Sequence, residues 1–205
     1  HWQFFSILAI TYHNIDRKIE LGINTVFPNR FYSQLNWLKK NDFSTSKGNL
    51  LITFDDGYES IYKQAYPIML KLNLTGLVFP ISYYIGKNNN WDVNFFLNKK
   101  KHMNVEQLKE LYNNGWEIGS HGDSHKSYRF LSKKEVEYDM RNSKQVLENE
   151  LNSKVDSFAP PFGYYNSFVL KMCDEIGYKK IFIQKPILDD KVGNNYRVEI
   201  VYRRS

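Results

Sequence analysis

Cysteine is almost absent from this chain, since Cys173 is the single one among 205 residues. One cysteine excludes an internal disulfide and a zinc site built from cysteines. Its place in an apolar helical pattern is typical of a small core residue. Long apolar runs are also missing, and no stretch reaches the length of a membrane span. No signal peptide is recognised at the start of the chain, which is compatible with a trimmed product, so the terminus leaves the location of the protein open.

Acidic residues are in the minority, at 22 against 28 lysines and arginines, which gives a formal net charge of +6. Such an excess is compatible with nucleic acid, an anionic membrane surface or an anionic polymer as the partner. The basic residues are scattered, however, and the run of three at 99–101 is the longest. We therefore expect a solvated surface and no nucleic-acid partner, and a peripheral contact with an anionic cell surface stays open. No protein partner is indicated.

Apolar residues make up 42% of the chain and aromatic residues 16%, so a sizeable core and a single domain over 1–205 are expected. Short apolar runs alternate with segments of helical periodicity. Strands are predicted at 4–12, 50–54, 75–81, 116–120, 155–158, 180–184 and 196–201. Helices are predicted from Pro28 onward, with Phe31, Leu35 and Leu38 at helical spacing, and at 58–72, 105–112, 132–151 and 166–176. Ser132 and Glu135 predict a capping box at the start of the helix at 132–151, and Gly177 is expected to close the helix at 166–176. Residues 82–101 have no clear period. This alternation predicts an α/β fold with mostly parallel strands, as a (β/α) barrel or, alternatively, an open doubly wound sheet.

Two adjacent acids end the apolar run at 50–54. Asp55 and Asp56 lie where this strand leaves the sheet, and active sites of α/β folds form at the carboxyl ends of the strands. Adjacent carboxylates repel each other, and a cation bound by one of them while the other acts as a base removes the conflict. Alternatively the acids and Gly57 form only a turn, because Asp-Gly is a common turn pair.

Two histidines, His121 and His125, follow the strand predicted at 116–120. They converge on one ion if the intervening loop turns helically, which Gly122 makes easy. Two imidazoles and one carboxylate leave a position open for water on a zinc ion. A polar loop with two surface histidines is the alternative for this motif alone. His13, one of five histidines in the chain, stands at another predicted strand end.

A proline pair, Pro160-Pro161, follows the strand predicted at 155–158. Two successive prolines fix the backbone, and the N–H groups just after them can point at a ligand. Rigid backbone donors at a strand end suit an oxyanion site. A rigid turn without such a function is the alternative.

Together these motifs resemble the three leading motifs of the polysaccharide deacetylase family, also called the NodB-homology or carbohydrate esterase 4 family. The matching segments are Thr-Phe-Asp-Asp-Gly (53–57), His-x-x-x-His (121–125) and Ala-Pro-Pro-Phe-Gly (159–163), in the family's order and at similar spacings. The resemblance extends from the predicted first strand to about Arg197. It implies a distorted (β/α) barrel of about seven strands, and an extracytoplasmic enzyme that removes N-acetyl groups from an N-acetylglucosamine polymer.

The resemblance also implies roles for individual residues. Asp55 would be the general base. One divalent metal, expected to be Zn2+ with Co2+ or Ni2+ as alternatives, would be held by Asp56, His121 and His125. The backbone N–H of Phe162 would help to hold the oxyanion. The glycan substrate would contact the turn formed by Pro160, Pro161, Phe162, Gly163 and Tyr164.

Two positions inside the motifs depart from the family's pattern. Gly122 stands where many members have a small hydroxyl residue, so the loop is expected to lose a local hydrogen bond. Ala159 stands where many members have an arginine that pairs with the base. Lys185 or Arg197 could orient Asp55 instead.

The general acid is a third departure. Many members supply it from a Leu-x-His motif near the C-terminus, but no histidine follows His125 here. The branch that acts on the poly-N-acetylglucosamine of biofilms has a Tyr-His pair near its N-terminal strand, and Tyr12-His13 stands at that place. His13 is therefore the expected general acid, with a structural histidine at a strand end as the alternative.

Aromatic side chains could stack on sugar faces or belong to the core. The candidates are Tyr83, Tyr84, Trp91, Phe95, Phe96, Phe162, Tyr164 and Tyr165. Two other functions stay open, a deacylase of a lipid-linked or small amino sugar and a catalytically silent domain that binds a glycan. Metal content separates the silent domain from the enzymes, and chain-length dependence separates the two enzymes.

Overall fold

The computed structural model of the protein describes residues 8–17, 25–89, 100–183, 197–200 and 202–203. Its strands are β1 (Leu8–Tyr12), β2 (Asn14–Ile15), β3 (Thr25–Val26), β4 (Leu50–Phe54), β5 (Leu77–Val78), β6 (Glu117–Ile118), β7 (Ser157–Phe158), β8 (Lys180–Ile183), β9 (Arg197–Ile200) and β10 (Tyr202–Arg203). Its α-helices are α1 (Pro28–Lys40), α2 (Tyr66–Lys71), α3 (Val105–Asn113), α4 (Lys133–Leu151) and α5 (Ser167–Ile176). A π-helical turn at Ile61–Ala65 precedes α2, and 3-10 turns lie at Ser82–Tyr84 and Pro161–Gly163.

The strand pairings follow one another around a ring. One sheet has the order β10-β1-β4-β5-β6 and a second has the order β7-β8-β9. A parallel bridge between Ser120 and Phe158 joins the end of β6 to β7. On the other side, β9 pairs with β8, and β10, which begins one residue after β9, pairs with β1. All these pairings are parallel, which confirms the predicted α/β fold with mostly parallel strands, and their order is that of the predicted distorted (β/α) barrel of about seven strands.

The interior of the ring is filled by a small apolar cluster. Its residues come from several strands or from positions directly after them: Ala9, Leu51, Leu77, Phe79, Ala159 and Phe182. Side chains from strands around a barrel fill its interior in this way. A larger apolar core contains residues of the helices as well as of the strands, and Phe31, Leu35 and Leu38 of α1 belong to it at the predicted helical spacing.

The capping residues of the helices largely agree with the prediction. Pro28 is the first residue of α1, and Gly177 follows the last residue of α5. Ser132 and Glu135 form the predicted capping box of α4 through two reciprocal hydrogen bonds. The helix predicted at 58–72 is divided near Pro67 into the π-helical turn and α2, because proline cannot donate the hydrogen bond that a continuous helix needs.

Three strands are shorter than predicted. The runs at 75–81, 116–120 and 155–158 contribute only two paired residues each, in β5, β6 and β7. Pro80 has no N–H for a ladder, and Phe79 is buried in the interior of the ring without belonging to a strand. The apolar runs therefore indicate which residues are buried, and the regular strand ends before the apolar run does. Residues 4–7 of the predicted first strand lie outside the described residues.

Within the ranges that the structure describes, no helix has both the length and the apolar character needed to cross a membrane.

Candidate active site

The register of the parallel strands brings the first motif next to the N-terminal histidine. Tyr12 at the end of β1 is paired with Phe54 at the end of β4, so His13 and Asp55 follow matched strand ends. The N–H of Asp55 donates to the Tyr12 carbonyl at 3.0 Å. His13 Nε2 lies 3.7 Å from Asp55 Oδ2, and these side chains are only 16% and 7% exposed. The expected general acid and general base are therefore neighbours, and both side chains are largely buried.

The second acid of the first motif meets the two histidines of the second motif. One ligand atom from each of Asp56, His121 and His125 lies within 4.8 Å of the other two. Nε2 of His125 is 3.1 Å from Asp56 Oδ1, and Nε2 of His121 is 3.5 Å from the same oxygen. Two imidazole nitrogens and one carboxylate oxygen form a ligand set that suits a zinc ion with a position left for water. These residues fit a single divalent metal.

The protonation states of this cluster also suit a cation. Burial raises the pKa of Asp56, but the hydrogen bond from His125 and the neighbouring imidazoles lower it more, so its pKa lies well below the usual range. Burial lowers the pKa of His121 to about 4, which leaves the ring neutral at pH 7. Nδ1 of His121 donates to the Ala159 carbonyl at 2.8 Å, so the lone pair is on Nε2, the atom that faces Asp56.

Each of the three motifs has one residue other than glycine with left-handed backbone at this site. The φ angles are 67° at Asp56, 57° at His125 and 57° at Phe162. Positive φ is uncommon outside glycine, and most of all for bulky side chains. Such backbone costs about 1–3 kcal/mol per residue and is concentrated at functional sites. The motif residues are thus held in a conformation that the surrounding structure must stabilise.

The proline turn lies beside the histidines. Gly163 and Tyr164 donate their N–H groups to the carbonyls of Pro160 and Pro161, at 3.0 and 3.3 Å, which leaves the Phe162 N–H as the remaining donor of the turn. The Phe162 side chain is 64% exposed, and its ring centre is 4.7 Å from that of His125. The third motif therefore presents a backbone donor and an exposed ring next to the candidate metal centre.

Comparison with known families identifies the family of this chain. The family model for polysaccharide deacetylase matches residues 42–181. The chain belongs to the polysaccharide deacetylase family. This segment includes all three motifs, whereas His13 lies before it.

Individual members of the family share modest identity with this chain. The poly-beta-1,6-N-acetyl-D-glucosamine N-deacetylase of Staphylococcus epidermidis is 28% identical over 94% of this chain and 77% of its own length. The Bacillus subtilis protein YxkH, whose name assigns it only provisionally to the polysaccharide deacetylases, is 27% identical over 83% of this chain. The match spans 61% of the length of YxkH.

Solved structures show the same fold. IcaB from Ammonifex degensii superimposes with a TM-score of 0.78 at 20% identity, covering 97% of this chain and 92% of IcaB. The Streptococcus pyogenes deacetylase PplD, solved in complex with acetate, superimposes with a TM-score of 0.77 at 21% identity over the same shares of the two chains. At these identities the likeness establishes the fold of this deacetylase family member.

The loop between the two histidines of this family member is held by a buried acid that the sequence analysis missed. Asp139 of α4 is 4% exposed. Its carboxylate accepts hydrogen bonds from the N–H groups of Asp123 and Ser124, at 2.9 and 2.8 Å, and from the Tyr128 hydroxyl at 2.8 Å. An acid on the buried face of α4, next to Met140, is the sequence signal that could have revealed it.

Gly122 is explained by the same acid. Its φ is 74°, and a Cβ at this position would lie 2.5 Å from Asp139 Oδ2 and 2.8 Å from the Tyr128 hydroxyl oxygen. A small hydroxyl residue therefore does not fit here without movement. The local hydrogen bonding that the sequence analysis expected to be lost at this position is supplied by Asp139.

A second missed residue is His102. It is 2% exposed, and its Nδ1 lies 2.8 Å from the backbone carbonyl oxygen of Asp56. Burial lowers the pKa of His102 to about 4. No periodic pattern surrounds it, and the lysines at 99–101 gave this stretch a polar character in the sequence.

The aromatic candidates for sugar stacking separate into two groups. Tyr84 is buried, and Tyr164 and Tyr165 pack against the main core. Tyr83 is 55% exposed, and the Lys87 ammonium lies 3.8 Å from the centre of its ring. Other candidates lie outside the described residues or side chains: Trp91, Phe95, Phe96, Lys185 and the side chain of Arg197.

Proposed function

We propose that this polysaccharide deacetylase family member is a metal-dependent hydrolase. Its substrate is poly-N-acetylglucosamine or a related cell-surface glycan, from which it removes N-acetyl groups outside the cytoplasm. The convergence of Asp56, His121 and His125 beside the Asp55–His13 pair carries this proposal. The activity for which the Staphylococcus epidermidis relative is named supports the substrate class. The acetate found with PplD supports the reaction, because acetate is what removal of an N-acetyl group releases.

In this proposal Asp56, His121 and His125 hold one divalent metal, expected to be Zn2+, with Co2+ or Ni2+ as alternatives. When bound, such an ion acts as a Lewis acid and lowers the pKa of a coordinated water to about 7. The hydrogen bond from His121 to the Ala159 carbonyl fixes the tautomer that a ligand needs. The position of this carbonyl also gives the third motif a role in the metal centre, although Ala159 lacks the arginine side chain of many members.

Three further groups have roles in the proposed amide hydrolysis. Asp55, as the general base, takes a proton from the water that adds to the acetyl carbon. The Phe162 N–H donates to the oxygen on which negative charge develops, a contact whose loss typically costs about 3–4 kcal/mol of transition-state stabilisation. His13, 3.7 Å from Asp55, donates a proton to the sugar nitrogen as the carbon–nitrogen bond breaks. The products are acetate and the free amino sugar.

The turn after the proline pair is the proposed contact surface for the glycan. Pro160, Pro161, Phe162, Gly163 and Tyr164 form it, and the exposed Phe162 ring offers an apolar face next to the metal ligands. Aromatic rings present large amphipathic contact areas, which suits the apolar face of a sugar.

The test is acetate release from defined N-acetylglucosamine oligomers with β-1,4 and β-1,6 linkages. Zinc, cobalt or nickel is added back to the protein after chelation. We expect activity that is lost on chelation, is restored by one of the metals and rises with oligomer length. Metal binding without acetate release from any oligomer would contradict the proposed substrate. Equal activity on the monosaccharide would indicate the deacylase of a small amino sugar instead.

Two variants test the proton transfers. Asp55→Asn is expected to retain the metal and to lose activity by about 10²-fold or more. His13→Ala is also expected to retain the metal, and its kcat should fall by about 10²–10⁴-fold. An acetyl ester with a good leaving group needs little protonation, so His13→Ala should affect it much less than the amide. Asp174→Asn, on an exposed position of α5, is the matched control. Equal losses on ester and amide would exclude His13 as the general acid.

A further inference from the structure

The turn that carries Asp56 is tightly constrained. Asp56 and Gly57 both have left-handed backbone, with φ of 67° and 70°. The Gly57 N–H donates back to the Asp55 carbonyl at 2.8 Å. A Cβ at Gly57 would lie 2.7 Å from the Cα of Pro80, so the turn is pressed against the next strand end. Because the backbone of this turn is fixed, the orientation of the Asp56 carbonyl is coupled to that of the Asp56 side chain.

That carbonyl is met by His102. Its Nδ1 is 2.8 Å from the Asp56 oxygen, and because a carbonyl only accepts hydrogen bonds, Nδ1 carries the hydrogen. The His102 ring contacts two other rings, with centre-to-centre distances of 4.8 Å to Tyr58 and 5.4 Å to Tyr84. The donor therefore has little freedom to move away from the turn.

The backbone around His102 is fixed to the same turn. The Met103 N–H donates to the Gly57 carbonyl at 2.9 Å, and the Glu59 N–H donates to the Lys101 carbonyl at 2.8 Å. On its other side, the His102 N–H donates to the Lys87 carbonyl at 2.9 Å. The segment at 101–103 thus pairs with the residues that follow Asp56 and places the imidazole against the Asp56 peptide group.

We propose that His102 is a positioning residue of the metal centre: its Nδ1–H fixes the Asp56 peptide plane and thereby aims the Asp56 carboxylate at His121 and His125. This inference rests on the proposed function in that Asp56 is taken as a metal ligand. His102 acts through Asp56, as outer partners of metal ligands generally do, and loss of such a partner typically costs about 10–100-fold in metal affinity.

Two substitutions separate this role from simple packing. His102→Phe keeps a planar ring in contact with Tyr58 and Tyr84 but removes the donor. His102→Asn loses the ring, yet its side-chain amide nitrogen occupies nearly the place of Nδ1 and can still donate to the Asp56 carbonyl. If His102 only filled space, Phe would be the milder change, whereas a positioning role makes Asn the milder change for the metal.

The measurement is Zn2+ affinity by competition with a chromophoric chelator, together with the visible absorption spectrum of the Co2+ form. We expect His102→Phe to bind Zn2+ about 10–100-fold more weakly and to show an altered Co2+ spectrum. His102→Asn should stay within a few-fold of the wild type, with an unchanged spectrum. Thermal unfolding of the metal-free proteins shows that each variant is folded.

Unchanged affinity and spectrum in folded His102→Phe would overturn the proposal. If His102→Phe does not fold, His102→Asn decides, because a tenfold loss of affinity despite the retained donor would equally overturn it. Failure of the proposed function has a different signature, since wild-type protein would then bind Zn2+ and release no acetate from any oligomer. The affinity measurements remain valid in that case.

Discussion

Replacing Asp139 by asparagine should both destabilise the protein and weaken metal binding at the proposed metal centre. The buried carboxylate accepts three hydrogen bonds, from the Asp123 and Ser124 N–H groups and from the Tyr128 hydroxyl. Asparagine has nearly the same shape, but one of its two polar atoms is an NH2 group that only donates. With its oxygen at the Oδ2 position it keeps the bonds from Asp123 and Tyr128 and turns the NH2 group toward the Ser124 N–H.

The magnitude follows from this exchange. A hydrogen bond to a charged group contributes about 1.5–3 kcal/mol, and the two retained bonds weaken because their acceptor becomes neutral. We therefore expect a loss of about 2–4 kcal/mol in the free energy of unfolding. For a chain of this size, 1 kcal/mol corresponds to about 2–4 °C in Tm, so Tm should fall by roughly 5–15 °C. The loop carries both His121 and His125, so the Zn2+ affinity should fall by about 10-fold or more.

The assay is urea denaturation of the metal-free protein followed by Zn2+ competition with a chelator. Asp174→Asn removes the same charge from an exposed position of α5 and serves as the matched control. A stability and a metal affinity equal to those of the wild type would refute the reasoning. Lower stability with unchanged affinity would limit Asp139 to holding α4 against the loop.

Two further predictions concern the loop glycine and the buried thiol. Gly122→Ala should lower the free energy of unfolding by about 1–3 kcal/mol, because the added Cβ would lie 2.5 Å from Asp139 Oδ2. Gly48 has a similar φ, and a Cβ there would have no neighbouring atom within 4 Å. Gly48→Ala therefore measures the cost of the left-handed backbone alone. Equal losses in urea denaturation of the two variants would contradict the steric explanation. Burial raises the pKa of the Cys173 thiol far above its usual value, so a thiol reagent at pH 8 should label native protein only as fast as it unfolds. Immediate labelling without urea, at the rate seen in urea, would show that α5 is not packed as described.

Much of the fold follows from signals that are local in the sequence. The Ser132–Glu135 capping box and Pro28 set helix starts because the groups involved are at most three residues apart. The boundaries of the strands were predicted less well. Pairing depends on the neighbouring strand, and Phe79 shows that an apolar residue can be buried in the ring without belonging to a strand.

The partners of the site could not be read from the sequence, because they come from distant parts of the chain. Asp139 contacts the loop at 122–128 from α4, and His102 reaches Asp56 across 46 residues. A polar residue in a lysine-rich stretch gives no sign of such a contact until the chain has folded. The apparent defect at Gly122 was likewise explained only by the carboxylate beside it.

The sequence by itself determined which catalytic and metal-binding groups are expected in this chain, and that these groups follow the ends of strands. Both can be read locally, because each group belongs to a short motif that comes directly after an apolar run. Only the tertiary structure decided that they meet. The parallel register of β1 and β4 places His13 beside Asp55, and the bridge from Ser120 to Phe158 brings His121 to Ala159. The physical reason is that ligand geometry depends on pairing between strands that are far apart in the chain, and no local pattern encodes that pairing.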